Sequence, residues 1–151
     1  MAQWLGRRLW EPKVAGSNPA TPTGFLISIM LKNLIKNLKK ANQRLKEAIK
    51  AKPTQLNKDA TLQRFEFTFE LSWKAMQAYI RDQGLDCLSP KSCIREAARL
   101  GLIENPKTWL EFLEARNLIA HTYNQKMANR IYKKALKFPK EVERLLENLE
   151  G

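Results

Sequence analysis

At 151 residues the chain is one domain's worth, enough for one sizeable core and too few for two. Lysine and arginine outnumber aspartate and glutamate by 27 to 15, a formal net charge of +12, which favours a polyanionic or acidic partner: nucleic acid first, an acidic protein surface second. Charge alone does not establish that partner, because Lys39, Lys40, Lys46, Lys50 and Lys52 also fit the solvated face of a helix. The two cysteines, Cys87 and Cys93, have no second pair and no nearby histidine, which excludes a zinc site built on them and fits a reduced, cytoplasmic chain.

Residues 1 to 29 read differently from the rest. Gly6, Pro12, Gly16, Pro19 and Pro22 interrupt them without a sustained period, and the apolar run from Phe25 to Leu31 is far short of the ~18 residues that cross a bilayer. No membrane span is expected, and the prolines ahead of the apolar run do not fit a signal peptide. The peptide Gly16-Ser17-Asn18-Pro19-Ala20-Thr21-Pro22-Thr23 resembles a translated transfer RNA T-arm, so residues 1–29 are expected to be a non-native or disordered extension ahead of a natural start at Met30. Without them 24 basic residues face 14 acidic ones, and the basic character survives.

From Met30 the pattern is helical. Leu31, Leu34, Ile35, Leu38, Ala41, Leu45, Ala48 and Ile49 recur at steps of three and four, predicting an amphipathic helix that runs to about Ala51 and stops before Pro53. A longer helix follows from about Asn57 to Gly84, with Leu62, Phe65, Phe69, Trp73, Met76 and Ile80 on one stripe and Phe67, Leu71, Ala75 and Tyr79 elsewhere. A girdle that broad implies burial on more than one side. Ser89-Pro90 starts a short third helix that Gly101 ends, and Asn105-Pro106 starts a fourth carrying Trp109, Phe112, Leu113 and Arg116. A fifth begins near Gln125, with Pro139 expected to kink or interrupt it. The fold class is therefore all-α, an antiparallel bundle of about four to five helices, with residues 30–151 as one domain.

The functional signal is the octet Arg116-Asn117-Leu118-Ile119-Ala120-His121-Thr122-Tyr123, which gathers a cation, the chain's only histidine and a phenol. In-line attack of a ribose 2′-hydroxyl on its phosphate needs a base, an acid and a cation for the charge that builds on the phosphoryl oxygens. Arg116 and His121 are five apart, ~7.5 Å of rise and ~140° of rotation on a regular helix, so they do not share a face. Either the helix ends or unwinds near His121, or a second copy completes the site. One histidine per chain favours a two-fold dimer, and no cluster of carboxylates accompanies the motif, so neither metal nor other cofactor is expected. The alternative is structural: Arg116 and His121 would cap free carbonyls at a helix C-terminus and Tyr123 would be a turn residue.

Arg116-x4-His121-x-Tyr123 resembles the Arg-x4-His-x-Tyr signature of the HEPN superfamily, in particular the HepT-like toxins paired with minimal nucleotidyltransferases. Gln63-Arg64-Phe65-Glu66-Phe67-Thr68-Phe69-Glu70-Leu71-Ser72-Trp73-Lys74 is similar to the long-helix motif of the nucleotidyltransferase substrate-binding branch. The resemblance covers essentially all of residues 30 to 151. It implies a helical bundle that dimerises with its motifs at the subunit cleft, Arg116 and His121 as the ribonuclease pair, Asn117 as the polar residue supporting the arginine, and Tyr123 as the tyrosine to which a cognate nucleotidyltransferase antitoxin adds AMP. The implied substrate is RNA, transfer or messenger.

Three functions follow for comparison: a metal-independent endoribonuclease toxin, a non-catalytic nucleotide- or substrate-binding subunit of a two-component nucleotidyltransferase, and a basic bundle that merely adheres to RNA and releases it as salt rises. Glu66 and Glu70 leave open whether they line the cleft, pair with basic residues or cap the subunit contact. The start site has a direct measurement: intact mass of the protein expressed from its native locus is expected to correspond to a chain beginning at Met30, and a species containing residues 1–29 would refute this.

Overall fold

The computed structural model describes residues 22–151. They form six α-helices and one 3-10 turn: α1 (Pro22–Lys50), α2 (Gln55–Asp82), α3 (Pro90–Arg99), α4 (Pro106–Asn117), the turn Ile119–His121, α5 (Gln125–Ala135) and α6 (Phe138–Glu150). The all-helical bundle is thus observed, and Pro139, in the first turn of α6, divides the expected fifth helix in two. Of the expected extension, residues 1–21 lie outside the described residues. Residues 22–29 are not irregular but open α1, continuous across Met30, and Ile27 is buried.

α1 and α2 form a hairpin across four residues. Their register is antiparallel: the Arg64 guanidinium donates to the Arg44 carbonyl at 2.7 Å, and Ile27, Met30 and Leu34 lie beside Lys74, Ala78 and Arg81. α2 meets the bundle with small buried hydroxyls among its apolar positions. Thr61, Thr68 and Ser72 each donate to the carbonyl four residues back, at 2.8, 2.6 and 2.8 Å, so none of these three hydroxyls is left without an acceptor. Thr54 starts α2 by accepting from the Asn57 amide. Gly84 ends it at φ +82°, with the Leu85 amide returning to the Ile80 carbonyl at 3.1 Å.

α6 returns along α1, also antiparallel. Lys39 pairs with Glu150 at 2.7 Å and Lys46 with Glu143 at 2.5 Å, both pairs on the solvent-accessible face of α1. Between them the buried Asn42 amide donates to the Pro139 carbonyl at 3.3 Å.

Phe65, Phe69, Trp109, Phe112 and Phe138 form the centre of the core, all essentially without solvent exposure. Phe138 touches the other four, with ring centroids at 5.1 Å from Phe65, 6.0 Å from Phe69, 5.3 Å from Trp109 and 4.8 Å from Phe112. Three of those contacts are edge-to-face, the geometry that aligns ring quadrupoles favourably.

The α2–α3 connection corrects an expectation. Cys87 and Cys93 are not thiols but a disulfide, and no free cysteine occurs among the described residues. The cause is local: Ser89 and Ser92 form a reciprocal capping box that starts α3, which turns Cys93 inward and sets its Cα 5.1 Å from that of Cys87. The Cys87 carbonyl also accepts from Gln77 at 2.7 Å. The core makes a quantitative prediction: Phe138→Ala removes one member from four ring contacts at once and should lower unfolding stability by about 3–5 kcal/mol, measured by urea denaturation, whereas the same change at exposed Phe67 should cost far less.

Candidate active site at the end of helix α4

The octet is three successive local structures. α4 starts at Asn105, whose side chain accepts from the Thr108 amide, and ends after Asn117. The Leu118 amide is shared between the carbonyls of Glu114 and Ala115, at 3.1 and 3.2 Å, and the chain tightens into the 3-10 turn. The His121 amide then donates to Leu118 at 2.9 Å, and Thr122 gives the Ile119 carbonyl both its amide (3.1 Å) and its hydroxyl (2.8 Å). Asn124 starts α5 by accepting from the amides of Lys126 and Met127. The helix therefore does end between Arg116 and His121, one of the two routes the spacing required.

Arg116 is held on several sides. Its Nη2 forms an ion pair with Glu70 Oε1, its Nη1 donates to Asn117 Oδ1 at 2.9 Å, and its guanidinium carbon lies 5.6 Å from the centroid of Phe69. Its Nε is buried without a hydrogen-bond partner. Glu70 uses its second oxygen, Oε2, to accept from the Trp73 indole at 3.1 Å. His121 and Tyr123 are exposed, Tyr123 to 88%, and their rings stand edge-to-face with centroids 6.2 Å apart. Among the described residues no hydrogen bond or ring contact joins Arg116 to His121. One chain thus groups Arg116 with Asn117, and His121 with Tyr123.

The pairing of Glu70 with Arg116 decides one of the roles that the sequence leaves open. Glu66 instead is exposed and has no ion-pair partner among the described residues. The dodecapeptide held the signal for the Glu70–Trp73 contact, an acid and a donor three apart on a helix, but nothing in the spacing indicated that they converge on Arg116.

Beyond the turn, α4 and α5 enclose a groove of about 460 Å³. Ala115, Leu118, Met127 and Ile131 line it, with Arg130, Lys133 and Lys137 among its charged residues. Glu111 pairs with Lys134 at 2.8 Å, and this hydrogen bond and charge, with further attraction from Lys107 and Lys137, hold its carboxyl below the usual carboxylate range. Among the described residues no helix is long and apolar enough to cross a membrane.

Residues 33–151 match the family described as nucleotidyltransferase substrate binding protein like. A probable ribonuclease HepT of Haemophilus influenzae is 34% identical over 93 residues, 58% of this chain and 64% of that protein, so the match spans less than two thirds of the relative's length. A crystal structure of a Thermus thermophilus protein superposes with a TM-score of 0.72 at 39% identity, over 76% of this chain and 99% of the other. The Haemophilus influenzae protein HI0074, whose structure is described as revealing the fold of a substrate-binding domain of a nucleotidyltransferase, superposes with a TM-score of 0.71 at 28% identity, over 78% and 99%. The match over residues 33–151, together with these relatives, places the chain in the nucleotidyltransferase substrate-binding protein family, as a HepT-like member of the HEPN superfamily.

Proposed function

We propose that the protein is the toxin of a toxin–antitoxin pair, a metal-independent endoribonuclease that acts as a homodimer and is silenced when a partner nucleotidyltransferase adds AMP to Tyr123. The observation that carries this reading is the helix break between Arg116 and His121, which leaves the cation anchored against the core and presents the imidazole and phenol on an exposed turn. The similarity to a probable ribonuclease HepT supports the same class of activity.

In the proposed reaction one His121 takes the proton of the ribose 2′-hydroxyl as its oxygen bonds to the adjacent phosphorus. The bond from phosphorus to the 5′-oxygen breaks, and a second His121, from the other protomer, gives that oxygen a proton. The products are a 2′,3′-cyclic phosphate and a 5′-hydroxyl. Arg116, supported by Asn117, stabilises the charge that builds on the phosphoryl oxygens. For silencing, the Tyr123 hydroxyl attacks the α-phosphorus of ATP, forms a phosphodiester and releases pyrophosphate. The added group brings a negative charge beside the His121 ring, where an RNA phosphate has to sit.

A second reading has its own support. The family description and the HI0074 fold point to a non-catalytic subunit that presents a nucleotide or other substrate to a nucleotidyltransferase, and the basic α4–α5 groove offers such a ligand a place. Incubating the purified chain with transfer RNA separates the two: the ribonuclease reading expects cleavage with chelator present, reduced on the order of 10³-fold or more in His121→Ala and Arg116→Ala, whereas binding without cleavage supports the second. Tyr123→Phe should cleave like the parent and stay active after treatment with the nucleotidyltransferase and ATP, with mass spectrometry finding no adenylyl group; persistent inactivation of that variant would sink the tyrosine switch.

A further inference from the structure

We infer that Glu70 is the positioning residue that aims Arg116, and that the Trp73 indole in turn sets Glu70. The inference rests on the ribonuclease reading above for its consequence in catalysis, but its geometry stands on the contacts alone.

An arginine side chain has high rotamer entropy, and a cation useful at a phosphate has to be in place before the charge develops. Three contacts restrict Arg116, and they differ in kind. The Phe69 ring lies near the guanidinium carbon and limits where the group can sit. Asn117 takes Nη1, but it is the next residue on the same helix end and is itself exposed. Only Glu70, which projects from α2, ties the tip of Arg116 to an element other than its own by a charged hydrogen-bonding group. That carboxylate is oriented as well: Oε1 meets Nη2 while Oε2 accepts from the Trp73 indole, so rotation of the carboxylate breaks both bonds. Glu70 and Trp73 are three apart on α2, neighbours on one helix surface, and Phe69 adjoins them in the aromatic core. The chain Trp73–Glu70–Arg116 thus runs from a long rigid helix to the end of α4.

Glu70 is not suited to touch the substrate itself. A carboxylate at this point repels a phosphate, and its cost is accepted only if orientation is gained. This gives the inference a signature that loss of fold lacks. Removing the charge while keeping the shape, as in Glu70→Gln, lets Arg116 wander but also removes an anion from the site: turnover should fall while RNA binding is unchanged or tighter.

The test uses the full chain and two readouts. Glu70→Gln should lower kcat on the order of 10²-fold, the loss expected from misplacing a catalytic group, with KM unchanged or lower and the helical circular dichroism retained. Trp73→Phe, which keeps a ring but loses the indole donor, should move kcat in the same direction by less. Independently of activity, ¹⁵N NMR of the arginine side chains should resolve separate, slowly rotating Nη signals for Arg116 in the parent and lose them in Glu70→Gln. Parent-like kcat in Glu70→Gln, or Arg116 signals already averaged in the parent, overturns the inference. Should Glu70→Gln fail to fold, Trp73→Phe decides by the same two readouts, a parent-like result again counting against it. If the parent does not cleave RNA, the ribonuclease reading falls, and the NMR comparison still judges whether Glu70 aims Arg116.

Discussion

The contact of the Phe138 ring with four other aromatic rings is the constraint on which the rest of this structure depends. It joins the first residue of α6 to the middle of α2, through Phe65 and Phe69, and to α4, through Trp109 and Phe112. Rings that interlock at 4.8–6.0 Å leave little freedom to slide, because close-packed interiors tolerate neither voids nor overlap. α4 is therefore fixed in register against α2, and one turn beyond Phe112 that register delivers Arg116 to Phe69 and Glu70. The candidate site is an outgrowth of the core rather than a decoration on a loop.

What the core does not hold is the other half of the octet. Beyond Asn117 no large side chain is fully buried until α5, and the turn is maintained by backbone bonds and by Thr122 and Asn124. An exposed turn flanked by two capped helices offers defined backbone geometry without the burial that would deny a large ligand access. Arg116 and His121 thus stand under different regimes, one anchored and one presented, as the roles proposed for them, phosphate-neutralising group and proton carrier, require.

Much of this was legible in the sequence because local signals and hydrophobic period agreed. Ser89-Pro90, Asn105-Pro106 and Gly101 marked helix ends within a residue or two of those observed, and of the stripe Leu62, Phe65, Phe69, Trp73, Met76 and Ile80 all are buried as the period required except Trp73, which is half-buried and donates its indole N–H to Glu70. What the sequence did not disclose was of two kinds, contacts set by tertiary packing and the conformation of short connecting or terminal segments. Phe138 stands at a helix junction, where no periodic pattern flags it, so its central place in the core depends on tertiary packing alone. Cys87 and Cys93 are separated by a loop whose path is set by the Ser89 cap, and composition said nothing about their distance. Residues 22–29 are helical, although the prolines ahead of them made the whole segment read as irregular. Within the site, spacing foretold that the helix had to stop before His121 but could not supply Glu70, which lies 46 residues earlier in the chain than Arg116.

The charge distribution separates attraction from aim. Paired with Glu70, Arg116 contributes almost no net charge to the field outside the protein, so it is a poor lure for a polyanion despite its place in the motif. The long-range field of a basic chain has to come from cations without close carboxylates, such as Lys40 and Lys50 on α1 and Arg130 and Lys133 on α5. Beside the α4–α5 groove the Glu111 carboxyl is held low chiefly by its hydrogen bond and charge pairing with Lys134, with smaller attraction from Lys107 and Lys137. Such a field acts over about 8–10 Å at ordinary ionic strength and fades with salt, whereas a guanidinium fixed by a carboxylate acts only on an atom that reaches it. On the ribonuclease reading proposed above, a site built this way gathers a phosphate chain loosely over the lysine-rich helices and positions the reacting phosphate at Arg116, which keeps the strength of capture and the geometry of the reacting group under the control of different residues.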